Sequence, residues 1–331
     1  MNTRTTARIA AISALALGLA ACGGDDSGDA GTAAGGGGGG SEAYEVAFVQ
    51  GVAGDEFYIT MECGIQEAAE ELGVEVTTQG PQQFDPALQT PIVDSVVASA
   101  PDGLLVAPTD VTAMYRPIQA AADAGITVGL VDTTLEDPSM AVTQVASDNE
   151  GGGAAAFEAI QAANPDGGEV LVVGHEPGIS TNEARIKGFL DALAEDPKFT
   201  ALPTQYAENQ VAEGARIVTS TLQANPDLVG IFGTNLFAAE GAATGLRQAG
   251  AEEQVTVVCF DAGPAQVEAL ENGTVQALVA QQPAEIGRQG LEQVIAELDG
   301  EEPEAEIQTG FTILTQENLA DNQDALYRSD C

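Results

Sequence analysis

Short apolar runs without strict alternation recur along the chain, each followed by a longer stretch with helical spacing. The first half reads "YEVAFVQ" and a helix from Ile59, "VEVTT" and a helix from Pro86, "GLLVAP" and a helix from Thr112, then "ITVGLVD". The second half repeats the alternation with "EVLVVG", "LVGIFG", "VTVVCFD" and "VQALVAQ". Strands apolar on both faces and joined by helices pack as parallel sheets covered on both sides, so the pattern predicts an α/β fold. Folding begins near Tyr44, and the roughly 290 residues that follow suffice for two lobes.

An internal echo supports two lobes of similar build. "GLLVAPTDVTAMYRPIQAAADAGITVGLVD" and "LVGIFGTNLFAAEGAATGLRQAGAEEQVTVVCFD" share the plan strand, Thr-Asp or Thr-Asn, helix, Ala-Gly, strand, Asp. Thr109-Asp110 matches Thr234-Asn235, and Asp132 matches Asp261. Ligands of open parallel sheets lie beyond the carboxyl ends of the strands. Asp132, Asn235 and Asp261 all fall there, so two such edges facing each other would make a polar cleft.

One stretch argues for different chemistry. In "VASDNEGGGAAAFEAIQAA", Gly151, Gly153 and Ala156 have the spacing of a dinucleotide-binding turn, and the acidic Glu176 follows further on. Such a turn normally follows the first strand of its domain, whereas here a long α/β region precedes it.

The N-terminus adds a location. Arg4 and Arg8 precede an apolar run, Ile9 to Ala21, that is short for a membrane span and reads as a secretion signal over residues 1–21. The ending Leu19-Ala20-Ala21-Cys22 resembles a bacterial lipoprotein signal, which implies cleavage before Cys22 and lipid on its sulfur. Residues 22–43, with consecutive glycines from Gly35 to Gly40, read as a flexible tether.

Charge and cysteine narrow the picture further. The 51 acids against 10 Lys and Arg give a formal charge of −41. This repels nucleic acid and anionic lipid, so no nucleic-acid partner is expected. In an oxidising compartment the three remaining cysteines leave one unpaired. Cys259 lies inside "VTVVCF" and reads as a buried free thiol, which pairs Cys63 with Cys331; two unpaired thiols are the alternative.

Eight segments, in order, carry a resemblance: "GDEFYITMECGIQEAAEELG", "PDGLLVAPTD", "AGITVGLVDTT", "VASDN", "EARIKGF", "NPDLVGIFGTN", "VVCFDAGP" and "ALVAQQPAEIG". Together they resemble the periplasmic sugar-binding proteins of the ribose- and galactose-binding type, the soluble receptors of ABC importers. The resemblance implies the type I periplasmic binding protein fold, with two doubly wound parallel-sheet lobes joined by a three-crossing hinge. It places a first lobe at 44–147 plus 283–309, a second at 148–282 plus 310–316, and a tail at 317–331. The glycines after Asn149 then let a helix start close to the sheet where the chain enters the second lobe.

The resemblance also implies a ligand set for a monosaccharide or cyclic polyol. Phe57 and Tyr58 would sandwich the ring, with Asp55 beside them and Asp132 as the first-lobe carboxylate. Asn149, Arg185, Asn235, Asp261 and Gln281 would close from the second lobe. Carboxylates and amides suit hydroxyls that both donate and accept. The pattern departs from ribose binders at Thr133, Ala107 and Asn209, where those proteins carry an Arg, an Asn and an aromatic residue; Asn209 stays in the expected contact set. Asn182 reads better as a helix N-cap than as a contact, and His175 as a strand-end residue near the cleft. With one histidine and no Gly-x-Ser-x-Gly elbow, no enzyme, cofactor or metal is expected. The implied partners are an ABC permease and its ATPase, reached by a monomer on a lipid anchor. A sugar sensor for a signalling receptor is the alternative, and a secreted sugar-modifying enzyme is less favoured.

Overall fold

The computed structural model describes residues 43–331. The expected signal 1–21, Cys22 and all but the last residue of the tether lie outside them. The described chain opens with β1 (Glu45–Val49), α1 (Glu56–Leu72), β2 (Glu75–Gln79), α2 (Pro86–Ser99), β3 (Gly103–Val106), α3 (Tyr115–Asp123), β4 (Thr127–Val131) and β5 (Thr143–Ser147). It continues with α4 (Asn149–Ala163), β6 (Gly168–Gly174), α5 (Ser180–Ala194), β7 (Phe199–Ala201), β8 (Gln205–Tyr206), α6 (Val211–Ala224), β9 (Leu228–Gly233) and α7 (Leu236–Ala249). Last come β10 (Thr256–Phe260), α8 (Pro264–Glu271), β11 (Ala277–Ala280), α9 (Pro283–Leu298), β12 (Glu306–Thr309), β13 (Thr312–Leu314) and two short 3₁₀ turns.

These strands form two sheets. The first has the order β12-β5-β4-β3-β1-β2, the second β13-β11-β10-β9-β6-β7, with β8 also pairing β6. All pairings are parallel except β11 with β13. The chain leaves the first sheet after β5, builds β6 to β11 of the second, returns through α9 to add β12, and crosses again to β13. The central strands β3 and β9 to β11 are buried almost throughout, as unalternating apolar runs require. β2 alternates between exposed and half-buried residues because it is an edge.

Local chemistry explains several boundaries. The first helix begins at Glu56, ahead of the expected Ile59, because the Asp55 carboxylate accepts from the backbone N–H of Phe57 at 2.8 Å and caps it. The third begins at Tyr115, later than Thr112, because Asp110 accepts from the N–H groups of Thr112 and Ala113 and holds a turn there. The short strands β7 and β8 had no counterpart in the sequence reading.

The glycines of "NEGGGAAA" pack helices and sheet together. A Cβ on Gly152 would come within 2.6 Å of the Phe260 ring on β10. One on Gly153 would come within 2.1 Å of the Arg185 carbonyl, and one on Gly188 within 2.0 Å of the Glu150 carbonyl, so α4 and α5 touch backbone to backbone. Gly151 carries the N-terminal turn of α4, where its N–H meets the Asp148 cap at 2.9 Å. Below them Phe189 stacks on Phe232 at 4.8 Å, and Phe157 and Phe199 complete the aromatic core of this lobe.

Cys63 on α1 is disulfide-bonded to Cys331, and Cys259 is a free buried thiol on β10. After β13 the tail therefore ends on the first lobe. There the Arg328 N–H donates to Thr60 Oγ1 at 2.7 Å, and its guanidinium meets Glu67.

Candidate functional site

Between the carboxyl edges of the two sheets lies a cleft with about 490 Å³ of empty space, part of it open to solvent. Its walls include Asp55, Phe57, Tyr58 and Asp132 from the first lobe, and Arg185, Asn209, Asn235, Asp261 and Gln281 from the second. Of the ten expected contact residues, nine meet there. Asn149 does not line the cavity. Its Oδ1 accepts from Arg185 Nε at 2.8 Å and its Nδ2 donates to the Ser147 carbonyl, so it stands behind the arginine and fixes it.

The two carboxylates matched by the internal echo occupy matched backbone sites. Asp132 follows β4 with φ +64° and Asp261 follows β10 with φ +78°, both in the left-handed region that few non-glycine residues adopt. Each strand thus turns sharply at its end and aims a carboxylate into the cleft. Asp132 Oδ2 accepts from the Tyr58 hydroxyl at 2.7 Å. Asp261 is held more tightly. Its Oδ2 accepts from the Leu236 N–H at the start of α7, and its Oδ1 from Gln281 Nε2 at 2.6 Å and from the Tyr327 hydroxyl at 3.0 Å.

Arg185 is buried at 5% exposure despite its charge. Its guanidinium lies 3.9 Å over the Phe260 ring and donates from Nη1 to the Thr234 carbonyl. Asn235 caps α7 through Ala238 N–H and donates to Asn209 Oδ1 at 2.6 Å. Asn209 itself sits at φ +55° in the loop before α6.

Burial dominates the electrostatics. It pushes the Asp55 carboxyl up to about 8, helped by the charges of Asp261, Glu56 and Asp132 and opposed by the Phe57 N–H. Burial raises Asp132 to about 6, while Arg185 and the Tyr58 hydroxyl hold it down. His175, after β6, is driven down to about 4 by burial and by Arg185, so it stays neutral. Among the described residues no group of three or more His, Cys, Asp or Glu could hold a metal ion.

Two expectations need correction. The rings of Phe57 and Tyr58 contact each other edge to face, at 5.2 Å and 83°, so they cannot clamp the two faces of one ligand ring between them. Asn182 is no N-cap: Ile179 precedes the first residue of α5, and Asn182 lies a turn inside. Its Oδ1 accepts from the His175 N–H and the Thr234 hydroxyl, and its Nδ2 donates to the Glu176 carbonyl. It stitches the ends of β6 and β9 to α5.

Phe84, in the loop after β2, also lines the cavity and packs edge to face on His175 across the lobes at 5.2 Å. The only sequence signal for it is an aromatic residue in a polar loop. Ile179, Thr181, Thr234 and Leu236 line the cleft as well. The departures from the ribose pattern are structural here: Thr133 donates to the Pro108 carbonyl, and Ala107 is fully buried with its carbonyl accepting from Gln89. Further contacts bring the lobes together beside the cleft, where Val111 N–H donates to the Gly178 carbonyl and Thr134 N–H to Ser180 Oγ.

A periplasmic binding protein domain matches residues 46–302. The chain is 29% identical over 272 residues to a ribose import binding protein of Escherichia coli (strain K12), covering 82% of this chain and 90% of that one. Among solved structures it is similar to an ABC transporter solute-binding protein from Agrobacterium vitis bound to α-D-tagatopyranose. That structure has TM-score 0.85 and 37% identity, over 86% of this chain and 99% of the other. A carbohydrate transporter solute-binding protein from Agrobacterium radiobacter, in complex with D-arabinose, gives TM-score 0.82 and 27% identity over 86% and 99%.

Proposed function

The chain belongs to the periplasmic binding protein domain family, and from that premise we propose that it receives a monosaccharide or cyclic polyol outside the cytoplasm for an ABC importer. Its family binds rather than transforms ligands, and the chain is not an enzyme. The observation that carries the reading is the convergence of carboxylates, amides and one arginine from both sheets on the cleft between them. Asp55, Asp132, Asp261, Asn209, Asn235 and Gln281 offer acceptors and amide donors to a hydroxyl array. Arg185 supplies charge-assisted donors, and Phe57, Tyr58 and Phe84 cover C–H faces. Asn149 acts through Arg185.

Ligand that touches both lobes favours closure by its differential affinity. The segments between β5 and α4, between β11 and α9, and between β12 and β13 are the hinge. Cys22, lipid-modified after removal of residues 1–21, tethers the receptor through residues 22–43, and the liganded monomer docks on a permease served by an ATPase. Replacing Cys22 with Ala releases the protein from the membrane fraction if this anchoring is right.

The functional test is a thermal-shift screen over monosaccharides and cyclic polyols. Ligand at a hundred times its Kd stabilises the folded state by about 2.7 kcal/mol. At least one sugar is expected to raise the midpoint, to shrink the scattering radius and to be recovered chemically unchanged. A panel in which none does so defeats the receptor reading.

A further inference from the structure

The tail beyond β13 does more than end the chain. It brings Tyr327, 6% exposed, to the back of the cleft. The Tyr327 hydroxyl donates to Asp261 Oδ1 at 3.0 Å and accepts from the Gln281 N–H at 3.2 Å, while its own N–H donates to the Ala262 carbonyl. Its ring packs on Phe57 of the first lobe at 5.9 Å. One residue later the tail is bonded to α1 through Arg328, and at its end through the disulfide. A single side chain thus touches a second-lobe carboxylate and a first-lobe aromatic ring, at the end of a fourth link between the lobes.

We propose that Tyr327 is a positioning residue for ligand binding: it fixes the Asp261 carboxylate, and the strap tied at Cys331 holds it in place. The inference rests on the receptor reading above. A carboxylate offers about four acceptor sites, and Asp261 commits three of them to Leu236, Gln281 and Tyr327. Donors on both oxygens leave it little rotational freedom, so the remaining site points in one direction. Loss of the hydroxyl releases one donor on Oδ1 and leaves the Gln281 N–H without its acceptor in a buried place. Burial and the charge of Asp261 keep the phenol well above its ordinary value, so it remains a donor.

The test is Tyr327→Phe, which retains the ring against Phe57 and removes only the hydroxyl. Two readouts apply. Hydrogen exchange of the Leu236 amide, measured without ligand, reports on Asp261 Oδ2, which Tyr327 does not touch; its protection is expected to fall severalfold. Calorimetry with the best sugar from the screen is expected to show affinity about tenfold weaker. In an Asp261→Ala background the same Tyr327→Phe change is expected to alter affinity less than twofold, since a residue acting through Asp261 has nothing left to position. Unchanged Leu236 protection, or an equal loss of affinity in both backgrounds, overturns the proposal. If no sugar binds the parent protein, the receptor reading falls, and the Leu236 amide still decides the role of Tyr327.

Discussion

Replacing Gly153 by alanine sets two effects of known size against each other. Alanine in a helix interior is favoured over glycine by about 1 kcal/mol. Against this, the new Cβ would lie 2.1 Å from the Arg185 carbonyl oxygen, where real contacts almost never fall below 3.0 Å. The obstacle is backbone of α5 and cannot rotate aside, so α4 and α5 must part by about 1 Å, at the upper end of the usual overpacking cost, about 2–3 kcal/mol. Parting them also strains the bond from Arg185 Nε to Asn149 Oδ1, which joins these two helices. We expect Gly153→Ala to lose about 1–2 kcal/mol of stability in urea denaturation and to bind sugar more weakly than the parent. Gly310→Ala is the control: nothing lies within 4 Å of its Cβ, and it should stay within about 0.5 kcal/mol. A Gly153→Ala protein as stable as the parent would refute the packing argument and reopen an anion-binding role for these glycines.

Further outcomes follow from the same structure. Asp261→Ala removes charge-assisted bonds in a closed cleft and is expected to weaken sugar binding by about 2–4 kcal/mol in calorimetry; Asp227→Ala, exposed before β9, should bind as the parent does. If the Asp261 variant binds within about threefold of the parent, the cleft chemistry is wrongly placed. Asp55 is pushed from 3.8 to about 8 in the folded protein, so between those values the folded state holds a proton that the unfolded state has lost. Its contribution to stability therefore falls as pH rises through that window. Asp55→Asn, which keeps an N-cap, should flatten the fall of the melting midpoint with pH, and an unchanged slope would count against the assignment. Cys259 is fully buried, and its thiol is pushed up by burial and by Asp261. Mass spectrometry after alkylation should find it modified only in denaturant.

Much of this architecture was legible because the parallel strands carry apolar residues in succession, as β3, β9 and β10 do, and β1 does after Glu45. The pairing of Asp132 with Asp261 was legible from the repeated plan alone, and both turn at positive φ as one design used twice. Side-chain direction was not legible. Nothing in "STNEAR" distinguishes a solvated arginine from one buried over Phe260, since the choice depends on a strand far away in sequence. Asn182 was misread for the same reason, its partners being the ends of two strands rather than its own helix. Phe84 sits in a polar loop and Tyr327 in "QENLADNQDALYRSDC", where no periodicity marks a buried ring; only the tie to Cys63 hints that the tail returns to the body.

The return of α9 and β12 to the first sheet also fixes an order of completion. A chain that emerges N-terminus first can assemble β1 to β5 early, but α1 then lacks its partner: Gly64 is spaced for the carbonyl of Ala284, and Gly287 for that of Met61. In the interval β6 to β11 can close on their own helices, because every central strand of that sheet is by then available. The lobe begun first is therefore finished second, with its apolar helix face waiting more than two hundred residues for cover. The covalent link from Cys63 to Cys331 joins α1 to a segment that follows α9 and β12, so it cannot form until both of those elements have emerged.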